Sequence, residues 1–355
     1  MALASLCLAM PVRAQEDVTP AQVSLGPGVP AKPLKRVTPR LPDELVQKGY
    51  EGWVVVSFVV KADGSVGDII VEDSTSPVLD DLTVRAVSKW TYEPATAQGV
   101  PVDQSSTGVF VLFGHDPPRP RSRAFVNAYN EITAQIREGK LDAAQRRVSE
   151  LQSVDLALRE RVYVSWLDAV LRQQRGEAAR ELRSLQRATI NQGKFLDEAS
   201  HASALASMFR LRIEGNELHR ALETFKALSK IQTPSEALAG VAQRARDIIA
   251  GDTAIGRSGS IPTQSEIEAN EARRVWSHVL VRREIAFNDV VGKLETIDFR
   301  CNRYRATDSI TDEKAWKIPP SWGNCAVYVY GTPGTTFTLV EYPEEKATKS
   351  ALPQE

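Results

Sequence analysis

The sequence predicts a multidomain α+β protein: an αββαβ unit, then an array of α-helical hairpins, then a small disulfide-bonded β unit. Three observations carry this. An apolar, β-branched run at Trp53–Val60 leads into Asp63-Gly64, a residue pair that suits a tight hairpin turn. After Pro117-Pro118-Arg119-Pro120 the β-branched residues thin out, and Ala, Leu, Arg, Gln and Glu dominate, which is helix-forming material. Beyond a Gly/Ser/Thr-rich break, short strand-like runs return together with Cys301 and Cys325. A chain of 355 residues has room for two or three such units at ~100–200 residues each.

The composition, 25% charged and 42% hydrophobic, is that of a soluble globular protein. A net charge of −1 argues against a general nucleic-acid binder, because counterion-driven binding needs a basic surface; local basic patches are compatible with it. Met1–Gln15 carries an apolar stretch ending in Val12-Arg13-Ala14, which resembles a secretory h-region and cleavage site. Residues 1–14 are therefore expected to be a signal peptide, or a truncated membrane anchor if the true start lies upstream, since no positive n-region precedes the stretch. It falls short of the ~20 residues that span a bilayer, so no integral span is expected in the sequence as given. Cys7 follows Leu6 and does not suit lipoprotein acylation. With Cys7 removed, Cys301 and Cys325 form an even pair, which in an exported protein reads as a disulfide. Closing that loop would stabilise the fold by roughly 3 kcal/mol.

A linker is expected over 15–32, and the first unit over 33–114. Order should begin near Pro39–Pro42, followed by a short helix at Asp43–Lys48 that ends at Gly49. Both parities of the run 53–60 are apolar, so this strand should be central and covered on both faces. A shorter strand follows at Val66–Val71. Ser76-Pro77 opens a helix, with Ser as N-cap and Pro at the first helical position. Leu79, Leu82, Ala86, Val87 and Trp90 form one stripe along it. Asp80 and Asp81 near its start, and Arg85 and Lys89 near its end, complement the helix dipole. An extended piece at Trp90–Tyr92, a turn at Gly99–Val102 and a third strand at Thr107–Phe113 complete the unit.

These residues, in this order, resemble the C-terminal domain of the TonB family, the periplasmic energy transducers of Gram-negative bacteria. The family pattern P-x-Y-P, a glycine-led V-x-V-x-F-x-V strand, D-G-x-V, A-x-x-x-W-x-F-x-P-A and G-x-P-V is met at Pro39–Pro42, Gly49–Val60, Asp63–Val66, Ala86–Ala95 and Gly99–Val102. Leu41 and Tyr92 depart from it. The resemblance covers under a quarter of the chain. It implies strand addition: an extended peptide, such as the TonB box of an outer-membrane receptor, pairs with the last strand. The matching positions are Ser106, Thr107, Gly108, Val109, Phe110, Val111, Leu112 and Phe113. The alternative is that this edge is covered by the rest of the chain or by a second copy. A transducer also needs a membrane anchor and a long linker, and neither is apparent in this sequence.

Residues 119–250 should form the helical region. Glu138-Gly139-Lys140-Leu141, Arg175-Gly176-Glu177-Ala178 and Glu214-Gly215-Asn216-Glu217 recur as helix–helix turns, and the region is similar to tetratricopeptide (TPR) hairpins without their full signature. Such stacks imply a second protein partner on a concave face; a spacer without a ligand is the other reading. A linker is expected at 251–270 and a small β-rich unit at 272–345, with strands at Trp276–Phe287, Leu294–Cys301, Ala326–Tyr330 and Thr336–Tyr342. Trp316 and Trp322 flank Pro319-Pro320 beside Tyr304 and Tyr328. They either form an exposed aromatic surface for a sugar or peptide or fill a thin core beside the disulfide.

No phosphate loop, G-x-S-x-G, H-E-x-x-H or C-x-x-C motif occurs. His201 and His219 lie too far apart to suggest a shared metal. The expectation is a non-catalytic periplasmic interaction protein of the TonB family that needs no metal or cofactor. The alternative is an envelope scaffold or glycan binder in which the first unit is only structural.

Overall fold

The computed structural model describes residues 28–113, 120–268, 275–311 and 314–343. The expected signal peptide at 1–14 and most of the 15–32 linker lie outside these residues. The start of the described chain is already paired: β1 (Gly28–Val29) and β2 (Lys32–Lys35) bond to strands further on.

α1 (Asp43–Gln47) leads into β3 (Glu51–Val60), the middle of a three-stranded antiparallel sheet ordered β4-β3-β8. Its neighbours are β4 (Val66–Ser74) and β8 (Gln104–Phe113). β4 and β8 both run longer than the sequence suggests, β8 starting at Gln104. The β3–β8 register is unbroken from Glu51 opposite Phe113 to Val60 opposite Gln104. α2 (Pro77–Val87) opens as expected, with Ser76 Oγ accepting from Val78 N. Its Leu79 and Val87 pack with Val54, Val56, Phe58, Val60, Trp90 and Tyr92 on one face of the sheet. Between α2 and β8 run β5 (Thr91–Glu93), β6 (Ala95–Ala97) and β7 (Val100–Val102). The expected turn at Gly99–Val102 is thus largely strand. β5 pairs with β2, and β6 lies between β1 and β7.

Seven helices follow, each packed on the next: α3 (Arg123–Arg137), α4 (Leu141–Ser153), α5 (Leu158–Gln174), α6 (Ala178–Ala188), α7 (Glu198–Glu214), α8 (Leu218–Leu228) and α9 (Glu236–Ala250). One turn geometry closes α3, α5 and α7. Lys140, Glu177 and Glu217 N–H groups bond back to the carbonyls of Gln135, Arg172 and Arg212. Each such turn needs a residue with positive φ just before the donor. Gly139 and Gly176 supply it in the first two, and Asn216 (φ 54°) in the third.

The linker expected at 251–270 is largely regular structure, its last two residues lying outside the described ones. β9 (Ile255–Ser260) pairs along its length with the last strand, and α10 (Gln264–Glu268) follows. Gly256 and Gly259 dilute the apolar pattern and disguised this strand as a break. The expected strand Trp276–Phe287 is two strands in different sheets, β10 (Trp276–Val279) and β11 (Glu284–Val291). β12 (Leu294–Cys301), β13 (Arg305–Ser309), β14 (Ala315–Lys317), β15 (Cys325–Gly331) and β16 (Thr336–Tyr342) complete sheets ordered β10-β15-β12-β13 and β14-β11-β16-β9. Ile297, Phe299, Val327 and Val329 of the first sheet share one apolar core with Ile285, Phe287, Phe337 and Leu339 of the second. Cys301 and Cys325, opposite each other on β12 and β15, form the expected disulfide.

Trp316 and Trp322 do not form an exposed aromatic surface. Each is 1% exposed. Trp316 packs edge-on against Phe287, and Trp322 packs against Phe299 and Tyr304. A small β unit has little apolar volume, so its largest side chains are drawn into the core.

Candidate functional site

β8 is an end strand. Among the described residues it pairs only with β3, which leaves its outer edge of backbone N–H and C=O groups without a neighbouring strand. Along this strand Thr107 is exposed and Val109 is 53% exposed. Ser106, Gly108, Phe110 and Val111 are half-buried, Leu112 is buried, and Phe113 stands in register with Glu51. Leu112 and Phe110 belong to the α2 side, where the Phe110 ring lies 5.7 Å from Trp90. Val111 faces the other way, with Val55 and Trp53.

That second face is not free, and nothing in the sequence had announced what covers it. Trp53, Val55 and Val111 pack against Leu158 and Val162 of α5 and against Ile190 and Phe195. Two carboxylates of the sheet fix this contact. Glu51, fully buried, accepts the Leu158 N–H at 2.6 Å, one of the orphan donors that begin α5. Asp73 accepts from Trp53 Nε1 at 3.2 Å and from Arg187 Nη2 at 2.6 Å, and Arg183 Nη2 lies 3.2 Å away. Burial pushes the Asp73 carboxyl up, but the Arg187 and Arg183 guanidiniums outweigh it and hold it below the usual carboxylate range.

Further along the same face, the C-terminal strands take over. The Arg300 guanidinium lies 3.3 Å from Ser57 Oγ and is bonded to Asp298, and Arg305 bridges Asp298 to Asp68. Tyr328 Oη donates to Glu72 at 2.6 Å. Burial, with Glu72 beside it, raises the Tyr328 phenol well above its ordinary value. Ala97 of β6 sits inside the C-terminal apolar core itself. The helices and the C-terminal sheets therefore cover the back of the β3 sheet and leave its β8 edge unpaired.

A cleft of about 560 Å³ opens between α6, the α7–α8 turn and the β9–β10 region, with Arg180, Arg183, Gln186, Arg257, Ser260 and Trp276 in its lining. Its cations are already matched: Arg257 to Glu217 at 2.6 Å, Arg180 to Glu177 at 3.2 Å and Arg183 to Asp73. Glu217 is held low despite its burial, chiefly by Arg257. Sequence reasoning missed this cleft, because its residues come from helices and strands far apart in the chain with no shared motif. Among the described residues no three His, Cys, Asp or Glu side chains converge as a metal site, and no helix is long and apolar enough to cross a membrane.

The sheet with one covered face, an α2 layer on the other and an unpaired end strand defines a small α/β unit. Residues 37–112 match the family model for the Gram-negative bacterial TonB protein C-terminal. An 80-residue stretch is 36% identical to protein TonB of Pseudomonas aeruginosa, covering 22% of this chain and 23% of that protein. The solution NMR structure of the Pseudomonas aeruginosa TonB C-terminal domain aligns at 33% identity over 25% of this chain and 90% of the domain, with a TM-score of 0.23. Residues 37–112 thus form a domain of the TonB C-terminal family. The chain spans about a quarter of the length of its TonB relative.

Proposed function

We propose that this is a non-catalytic, periplasmic protein of the Gram-negative envelope that takes up an extended peptide by strand addition at β8. The TonB-family domain supports a part in TonB-like energy transduction, with the TonB box of an outer-membrane receptor as the expected peptide. One observation carries the reading: both faces of the β3 sheet are occupied, while the β8 edge has no neighbouring strand among the described residues. An unpaired edge gives affinity through the main chain and specificity through alternate side chains. The disulfide and the apolar N-terminal stretch support export. The repeated capping turn of α3, α5 and α7 supports a TPR-like array and, with it, a second protein partner. The first unit at 33–114, the helical region at 119–250 and the C-terminal β region then serve as docking module, second surface and brace.

The test is titration of the isotope-labelled full chain with a synthetic TonB-box peptide, followed by amide chemical shifts. Shifts confined to Ser106–Leu112 and the facing residues of β3 are expected. Undisturbed β8 amides at millimolar peptide would overturn the reading.

A further inference from the structure

A second groove, of about 530 Å³, lies on the TonB-like domain away from the covered face, between residues 36–40 and the end of α2. Arg36, Arg40, Arg85 and Lys89 line it over a floor that includes Val37 and Leu82, and no carboxylate is in the lining. All four cations are exposed, and none is held in an ion pair among the described residues. Asp81, one turn before Arg85, does not reach it. On a chain with a net charge of −1 this is a strong local excess.

The groove is preformed. Trp90 Nε1 donates to the Val37 carbonyl at 2.7 Å and ties the two walls together. Arg36 stands over the Trp90 and Tyr92 rings, 5.0 and 5.5 Å from their centres, and its Nε donates to Tyr92 Oη at 3.2 Å. Aromatic faces rather than a carboxylate hold this guanidinium, so its terminal N–H groups stay available for an anion. Arg85 and Lys89 also complement the C-terminal end of the α2 dipole. That role does not account for Arg36 and Arg40, which come from another segment and meet them across the groove. Two residues before Arg36, Leu34 is 71% exposed between Lys32 and Lys35, with Lys32 standing opposite Glu93.

We propose that this groove seats the phosphate headgroups of an anionic membrane surface. Arginine forks match phosphate oxygens, and each cation near such a surface multiplies partitioning about fivefold. The exposed Leu34 decides between sources: a headgroup layer buries it, whereas free phosphate and an acidic peptide leave it in water.

The test is co-sedimentation of the full chain with vesicles of phosphatidylcholine, alone or mixed with phosphatidylglycerol. Binding is expected only to the mixed vesicles and should fall with added salt. Arg40→Gln with Lys89→Gln should weaken it about 30-fold while lowering the melting temperature only slightly, since neither side chain is bonded and only the Lys89 charge complements the end of α2. Lys226→Gln with Lys230→Gln, exposed lysines elsewhere, should leave it unchanged, and Leu34→Ser should weaken it with the salt dependence intact. Equal binding to neutral vesicles, or parent-like binding by the Arg40/Lys89 variant, refutes the proposal. So does a poly-glutamate peptide or inorganic phosphate that occupies the groove and displaces the vesicles at matched charge. Peptide uptake at β8 is read separately and is independent of every one of these outcomes.

Discussion

Asp73→Ala probes whether the helices and the TonB-like sheet fold as one packed body. The Asp73 side chain is 12% exposed, and the guanidiniums beside it, Arg183 and Arg187, are 11% and 14% exposed. Removing one partner of a buried pair costs about 3–5 kcal/mol, because the remaining charge has been taken out of water without compensation. Both arginines have further interactions, so the lower end, about 3 kcal/mol, is expected here. The assay is urea unfolding followed by tryptophan emission and circular dichroism, with Arg187→Met and the double variant completing a cycle. A coupling of about 1.5 kcal/mol or more should appear. A loss below about 0.5 kcal/mol, or strict additivity, would show that the sheet and α6 are not held together this way. The pH dependence has a definite sign. The folded-state pKa of Asp73 is lowered, so its contribution is complete above the unfolded value near ~4 and is lost as pH falls through the folded value. The gap between parent and variant should therefore narrow in acid.

Two further substitutions test the brace on the other half of the sheet. Tyr328→Phe deletes the donor to buried Glu72 and should cost about 1–2 kcal/mol by thermal unfolding. Because the folded state raises this phenol, the parent's advantage should also shrink above pH ~10, where the unfolded chain gives up its proton first; a neutral effect at pH 7 would refute the bond. Gly259→Ala places a Cβ 2.6 Å from the Phe337 and Trp276 rings, and overpacking of this kind should cost about 1–3 kcal/mol. Gly256→Ala on the same strand meets only Thr338 Cγ2 at 3.5 Å and is the matched control.

The first 80 or so described residues were legible because local signals agreed there. Ser76-Pro77 capped a helix, its stripe faced a β-branched run, and Asp63-Gly64 turned the hairpin. The two apolar parities of Trp53–Val60 even foretold that both faces would be covered. What they did not tell was the cover, because Trp53 meets Leu158 and Ile190 across more than a hundred residues of chain. The same limit explains Trp316 and Trp322. Exposed and buried tryptophans look alike in sequence, and only the closing of two sheets over them decided the matter. β9 was missed for a simpler reason: a strand with glycines at Gly256 and Gly259 carries no apolar period, although close packing of Phe337 and Trp276 against it demands the second of them.

The covered face also changes what strand addition at β8 would mean. A strand laid beside β8 alternates its side chains between the two faces of the sheet. On the α2 side it would meet Phe110 and, behind it, Trp90, residues that belong to the TonB-like domain itself. On the other side it would run past exposed Val109 toward Val111 and Phe195, the last contributed by the helical region. On that side one of the three contacts, Phe195, then comes from outside 37–112. Under this reading the isolated domain would keep main-chain affinity for a peptide but lose the discrimination that Phe195 adds beside Val111. The helical region would act in recognition as well as in support.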